Sequence, residues 1–172
     1  MKKYFLKIAL AIFLFSGCAT SPALKGNENT KIYRQDLTAE GSREIIKIDD
    51  NFDTDSASTV TIMSRNAKKI CDFSVPGRVR SVEFLDLYDY GIYQIALFYE
   101  DDNNYQNLEI RRLNNIDTEI LAVFRGNCGI KVDSSTIPKI KVCRYKCSNC
   151  GADSGTTWDV WSWSGEKFVR EN

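Results

Sequence analysis

Any chemistry in this chain would have to be done without histidine, because its 172 residues contain none. That removes Ser-His-Asp and Cys-His catalysis, imidazole general bases and histidine metal ligands together. The remaining reactive groups are cysteines and carboxylates. Three of the six cysteines are grouped as Cys143-Arg144-Tyr145-Lys146-Cys147-Ser148-Asn149-Cys150, with Cys71 and Cys128 upstream and Cys18 near the N-terminus. Thiolates at this spacing could hold a metal cluster, or zinc with Cys128 as fourth ligand; the same residues could pair as disulfides. Carboxylate pairs or a Ser-Lys dyad remain open to catalysis. With 23 acidic residues, however, some lie near one another by number alone. No catalytic residue is assigned, and an enzyme is not expected.

Two further groups could bind without reacting. Asp86-Leu87-Tyr88-Asp89-Tyr90-Gly91 has the acid-to-glycine span of a calcium loop, but calcium takes six or more oxygens and tyrosines hold the third and fifth places. The expected role is a turn whose aspartate and glycine satisfy the backbone, with no metal or cofactor. Trp158, Trp161 and Trp163 lie on a run that alternates before Ser164-Gly165 and returns through Lys167-Phe168-Val169, the pattern of a hairpin with aromatics on both faces. They could form a binding surface for sugar or peptide. Core closure with edge protection is favoured, because large aromatics mostly bury.

The N-terminus sets the compartment in which those groups would work. Met1-Lys2-Lys3-Tyr4-Phe5-Leu6-Lys7 leads into an apolar run from Ile8 to Phe15 and then Ser16-Gly17-Cys18-Ala19. A basic start, a short apolar middle and small residues at the cut are the layout of a secretory signal, and the run is too short to span a bilayer. Leu14-Phe15-Ser16-Gly17-Cys18 resembles the lipobox of bacterial lipoproteins. The resemblance implies cleavage after residue 17, diacylglycerol on Cys18 and, with alanine rather than aspartate at position 19, an outer-membrane destination. Losing Lys2, Lys3 and Lys7 from a balance of 23 basic and 23 acidic residues leaves a formal charge of −3, which offers no footprint for nucleic acid. Export also favours disulfides over metal at Cys71, Cys128, Cys143, Cys147 and Cys150, with at least one bond stapling the 143–150 loop.

Residues 18–40 are small and polar and read as a lipidated N-terminus with a flexible tether, leaving 41–172 as one domain; an ordered first strand around Lys31 to Tyr33 is the alternative. Short β-branched and aromatic runs recur through that domain: Glu44 to Ile48, Thr59 to Met63, Val79 to Leu87, Tyr93 to Tyr99, Leu108 to Leu113, Glu119 to Phe124, Ile137 to Val142 and Trp158 to Trp163. The spacing predicts an all-β domain of meanders, with one candidate helix over Ser64 to Cys71.

The segment from Val82 to Leu97 resembles the strand-loop-strand of FG-GAP and VCBS repeats, in which an apolar strand enters an Asp-x-Asn-x-Asp-Gly loop. Asp86 and Gly91 match the ends of that loop and Ile95 the next strand's start, while Tyr88, Tyr90 and Gln94 depart from it. A weaker copy is read at Val132-Asp133 and Ile137 to Val142. The resemblance implies blades of four strands; two or three cannot close a ring, so an open or sandwiched, partly propeller-like arrangement is expected. The C-x3-C-x2-C spacing is also that of radical S-adenosylmethionine enzymes, but those carry it early in a cytoplasmic α/β barrel. The expected function is a periplasm-facing, outer-membrane-anchored lipoprotein whose β domain binds an envelope protein or glycan, or serves a structural role. Alternatives are an inhibitor or ligand-binding module using the tryptophans, and a carboxylate-based cell-wall hydrolase.

Overall fold

The computed structural model describes residues 29–50, 57–134, 137–145 and 155–171. Twelve strands and no helix lie among these residues. They form three four-stranded antiparallel meanders taken consecutively along the chain, none closed into a barrel. The first sheet comprises β1 (Thr30–Gln35), β2 (Glu44–Asp50), β3 (Ser58–Met63) and β4 (Lys69–Val75). The second comprises β5 (Arg78–Leu85), β6 (Gln94–Glu100), β7 (Gln106–Asn114) and β8 (Asp117–Gly126). The third comprises β9 (Ile130–Asp133), β10 (Lys139–Tyr145), β11 (Thr156–Trp163) and β12 (Phe168–Arg170).

The second sheet is sandwiched between the other two, and β6 shows why. Side chains alternate across a strand, so Ile95, Leu97 and Tyr99 enter one core with Ile46, Ile48, Val60 and Ile62 of the first sheet. Ala96 and Phe98 enter the other, with Ile140, Val142 and Trp163 of the third. A strand apolar at every position from Ile95 to Tyr99 is what burial on both faces requires. The outer faces of the stack carry ion pairs instead: Lys47–Asp49 (2.6 Å) on the first sheet, Lys139–Glu171 (2.7 Å) and Lys141–Asp133 (3.0 Å) on the third. Polar ends complete an open stack as capping repeats do, without a ring.

Glycine allows the close approach at both junctions. A Cβ on Gly77, between β4 and β5, would lie 2.3 Å from Glu100 O, and one on Gly126, the last residue of β8, 2.6 Å from Gly129 O. Beside Gly77, the fully buried Ser58 donates its N–H to Gly77 O (3.1 Å), and its hydroxyl accepts the Val79 N–H (3.0 Å).

One loop is built twice. Asp36-Leu37-Thr38-Ala39-Glu40-Gly41, after β1, and Asp86-Leu87-Tyr88-Asp89-Tyr90-Gly91, after β5, lie 50 positions apart. Asp36 accepts the N–H of Thr38 (3.2 Å) and Gly41 (2.9 Å); Asp86 accepts those of Tyr90 (3.2 Å) and Gly91 (2.8 Å). Leu37 and Leu87 are buried, one in each core, and their N–H groups donate to the side chains of Glu44 (2.7 Å) and Gln94 (2.9 Å). Both loops use two left-handed residues: Ala39 and Gly41 at φ 59° and 71°, Asp89 and Gly91 at 56° and 71°.

Three expectations are corrected. The domain does not begin at residue 41: β1 and the buried Leu37 fall within the stretch read as tether, because an edge strand needs little apolar sequence when its neighbour supplies the hydrogen bonds. The clear second copy of the loop is upstream at Asp36; Asp133 ends the first strand of the third sheet, but its carboxylate pairs with Lys141. No helix covers Ser64 to Cys71. Ser64 and Lys68 close a hairpin turn (Ser64 N–H to Lys68 O, 2.9 Å) with Ala67 at φ 59°, and β4 follows.

Candidate functional site

A groove of about 710 Å³ runs between β8 and the third sheet. Its apolar floor follows from strand alternation: Phe124 on β8, Trp161 on β11 and Phe168 on β12 turn toward one another. Phe124 meets Trp161 edge-on at 5.6 Å and Phe168 at 5.3 Å between ring centroids. Trp161 leaves its indole N–H buried with no acceptor among the described residues, an arrangement that ordinarily costs about 1–3 kcal/mol.

The rim is cationic. Arg125 lies over the Tyr105 ring at 4.0 Å and pairs with Asp101 at 2.8 Å. Partial desolvation pushes the Asp101 carboxyl upward. The Tyr105 N–H, the Asn107 side chain, the Asn103 N–H and Arg125 together outweigh that and hold it below its ordinary value. Arg144 and Arg170 share a single carboxylate, the buried Asp159, at 2.7 and 2.5 Å. The Lys167 side chain has no acidic partner among the described residues, and none of the described lining residues is acidic. The groove therefore holds a surplus of positive charge above aromatic rings.

The tryptophans do not form one surface. Trp161 lines the groove, whereas Trp163, on the same face of β11, is buried against Tyr88 (5.5 Å) and Phe168 (5.1 Å). Trp158 lies on the opposite face, 41 % exposed, with Lys131 Nζ 5.1 Å from its ring centroid. Odd and even positions of one strand cannot share a face, so the alternative of one binding surface built from all three tryptophans is not formed, and aromatics lie on both faces of the strand. Sequence reasoning missed Arg125, Arg144, Lys167 and Phe168 as a group, since they come from three strands and a turn with no common spacing.

Cys128 and Cys143 form a disulfide 15 positions apart, so neither sulfur is a zinc ligand in this structure. Cys143 is thus committed upstream rather than within the 143–150 loop. Cys71 is a buried free thiol whose pKa is raised by burial and by Asp117 and Asp72. Cys18, Cys147 and Cys150 lie outside the described residues. The buried carboxylates have structural partners: Glu44 accepts the Leu37 N–H, Glu109 pairs with Arg111, whose guanidinium lies 3.9 Å from the Phe73 ring centroid, and Asp159 holds two arginines. The Asp86 oxygens serve backbone N–H groups of their own loop. No protein-family model, curated protein or solved structure matches the chain.

Proposed function

We propose that this protein is an outer-membrane lipoprotein, anchored through acylated Cys18 and facing the periplasm, whose β domain of degenerate FG-GAP/VCBS-like repeats binds another envelope component without catalysis. The observation that carries the binding role is the groove, where an apolar floor and unbalanced cations meet at one concavity. The anchor rests on the lipobox-like Ser16-Gly17-Cys18-Ala19 after a basic and apolar leader. The Cys128–Cys143 disulfide suits an oxidising compartment. A lipid anchor would hold the groove near the membrane and raise its effective concentration toward anything else fixed there.

Two experiments test the reading separately. Cys18→Ser should abolish acyl labelling and leave an unprocessed precursor; labelling that persists refutes the anchor. Crosslinking in intact envelopes should yield a defined adduct that is lost when Trp161→Ala and Lys167→Glu are combined. Adducts identical in the two proteins would remove the groove from the function.

A further inference from the structure

We infer that the groove accepts an extended acidic peptide, which adds to the open edge of β8 as a fifth strand of the second sheet. This rests on the binding role proposed above and names the partner's chemistry. β8 is ten residues long and ends its sheet; β7 satisfies one side of it. Its other side makes no backbone hydrogen bond to another element among the described residues. An open edge of this length is normally guarded by charged side chains, proline, bulges or a covering segment. Here Asp117, Glu119 and a bulge between Ile120 and Ala122 guard the first half, whereas Leu121-Ala122-Val123-Phe124 carries no charge before Arg125, and Ile120 and Val123 are about half exposed.

The groove lies along the Leu121–Arg125 half of that edge. A strand laid there would send alternate side chains toward Phe124, Trp161 and Phe168. Its remaining side chains would lie beside the lining cations Arg125, Arg144 and Lys167, of which Asp101 pairs with Arg125, Asp159 is shared between Arg144 and Arg170, and Lys167 has no acidic partner among the described residues. Three lining cations with no acidic lining residue among those described, on a chain whose formal charge is −3 once the leader is removed, select an anionic occupant. The open amides of β8 select a polypeptide over an acidic glycan, because only a polypeptide brings the matching N–H and C=O groups.

The test uses the full chain purified in detergent and an acetylated octapeptide alternating glutamate and valine, followed by tryptophan fluorescence and hydrogen exchange over residues 117–126. The peptide should bind saturably and slow exchange in the 121–126 half. Replacing its glutamates by lysine, or methylating alternate amide nitrogens, should weaken binding at least tenfold. Lys167→Glu should weaken it several-fold at low salt, with the difference shrinking at high salt as screening shortens the reach of the charge. The inference is overturned if the peptide fails to bind, or if the lysine or methylated peptide binds equally well. Saturable binding of oligogalacturonate without change in β8 exchange would assign the groove to glycan, overturning this inference while leaving the binding role intact. Protection that rises with protein concentration alone would assign the edge to a second copy and overturn it as well. Envelope crosslinking that gives the same adducts with and without the combined Trp161→Ala and Lys167→Glu changes would instead remove the binding role itself.

Discussion

Removing the carboxylates of the twin loops separates a turn-capping role from a cation-binding one. Asp86 accepts two backbone N–H groups, at 3.2 and 2.8 Å, and Asp36 accepts two, at 3.2 and 2.9 Å. A net contribution of roughly 0.5–1.5 kcal/mol per hydrogen bond applies, toward the low end because these loops are exposed and the freed N–H groups can turn to water. Asp86→Ala should then cost about 1–2 kcal/mol, and Asp86→Asn, which keeps one carbonyl oxygen, about half of that. Asp36→Ala should cost the same. The double variant should be additive at about 2–4 kcal/mol, because the loops belong to different sheets and share no partner. For a domain of this size, each kcal/mol lowers Tm by roughly 3–5 °C, so every variant is measurable by thermal denaturation with and without calcium. Because the carboxylates already serve their own loops, calcium should leave Tm unchanged in all of them, stabilisation requiring preferential binding to the folded state. A calcium-dependent rise in wild-type Tm that disappears in Asp86→Ala, with no loss of stability in calcium-free buffer, would refute the capping argument.

Other consequences can be measured on the same protein. A chain beginning at residue 29 should unfold cooperatively in denaturant, while one beginning at 41 loses β1 and the Leu37 side chain and should be markedly less stable; Leu37→Ala alone should cost about 2–5 kcal/mol. Replacing Cys128 and Cys143 together by serine should cost about 3 kcal/mol by the loop-entropy argument for a 15-residue closure, read as a fall in denaturation midpoint. Desolvation pushes the Asp49 carboxyl up, but hydrogen bonds from Lys47 and Thr30 and the Lys47 charge hold it lower overall. Its stabilisation is therefore present above its ordinary value near 4 and lost as pH falls through the lowered one, so Asp49→Asn should blunt acid denaturation and leave the alkaline limb alone. Tyr33 is raised by burial and by Asp50, so its contribution is present below its ordinary value near 10 and lost as pH rises past it; Tyr33→Phe should soften the alkaline fall in stability.

The amino-acid sequence by itself determined that this is an all-β chain. Alternating and continuous apolar runs marked most of the strands, and Ser164-Gly165 between Trp163 and Phe168 marked the final hairpin. The repeated loop was also legible, since Asp36-Leu37 with Gly41 and Glu44-Ile45 has the same spacing as Asp86-Leu87 with Gly91 and Gln94-Ile95. It was obscured because small polar residues around it read as a tether. β4 was obscured for a related reason: Lys68 and Lys69 interrupt an apolar pattern completed by Cys71, Phe73 and Val75, and burial of that face depends on the neighbouring sheet.

Only the tertiary structure decided which faces are core and what the cysteines and tryptophans do. Parity placed Trp158 opposite Trp161 and Trp163, but the second sheet closing over one face buried Trp163 and left Trp161 at a groove. The pairing of Cys128 with Cys143 follows from the chain turn that brings Gly129 O to within 2.8 Å of Cys143 N, a contact encoded by no local spacing. The groove has the same origin: Phe124, Arg144, Trp161 and Lys167 meet only because two sheets pack, and packing depends on surfaces assembled from residues far apart in the chain, whereas strand formation leaves a local periodic trace.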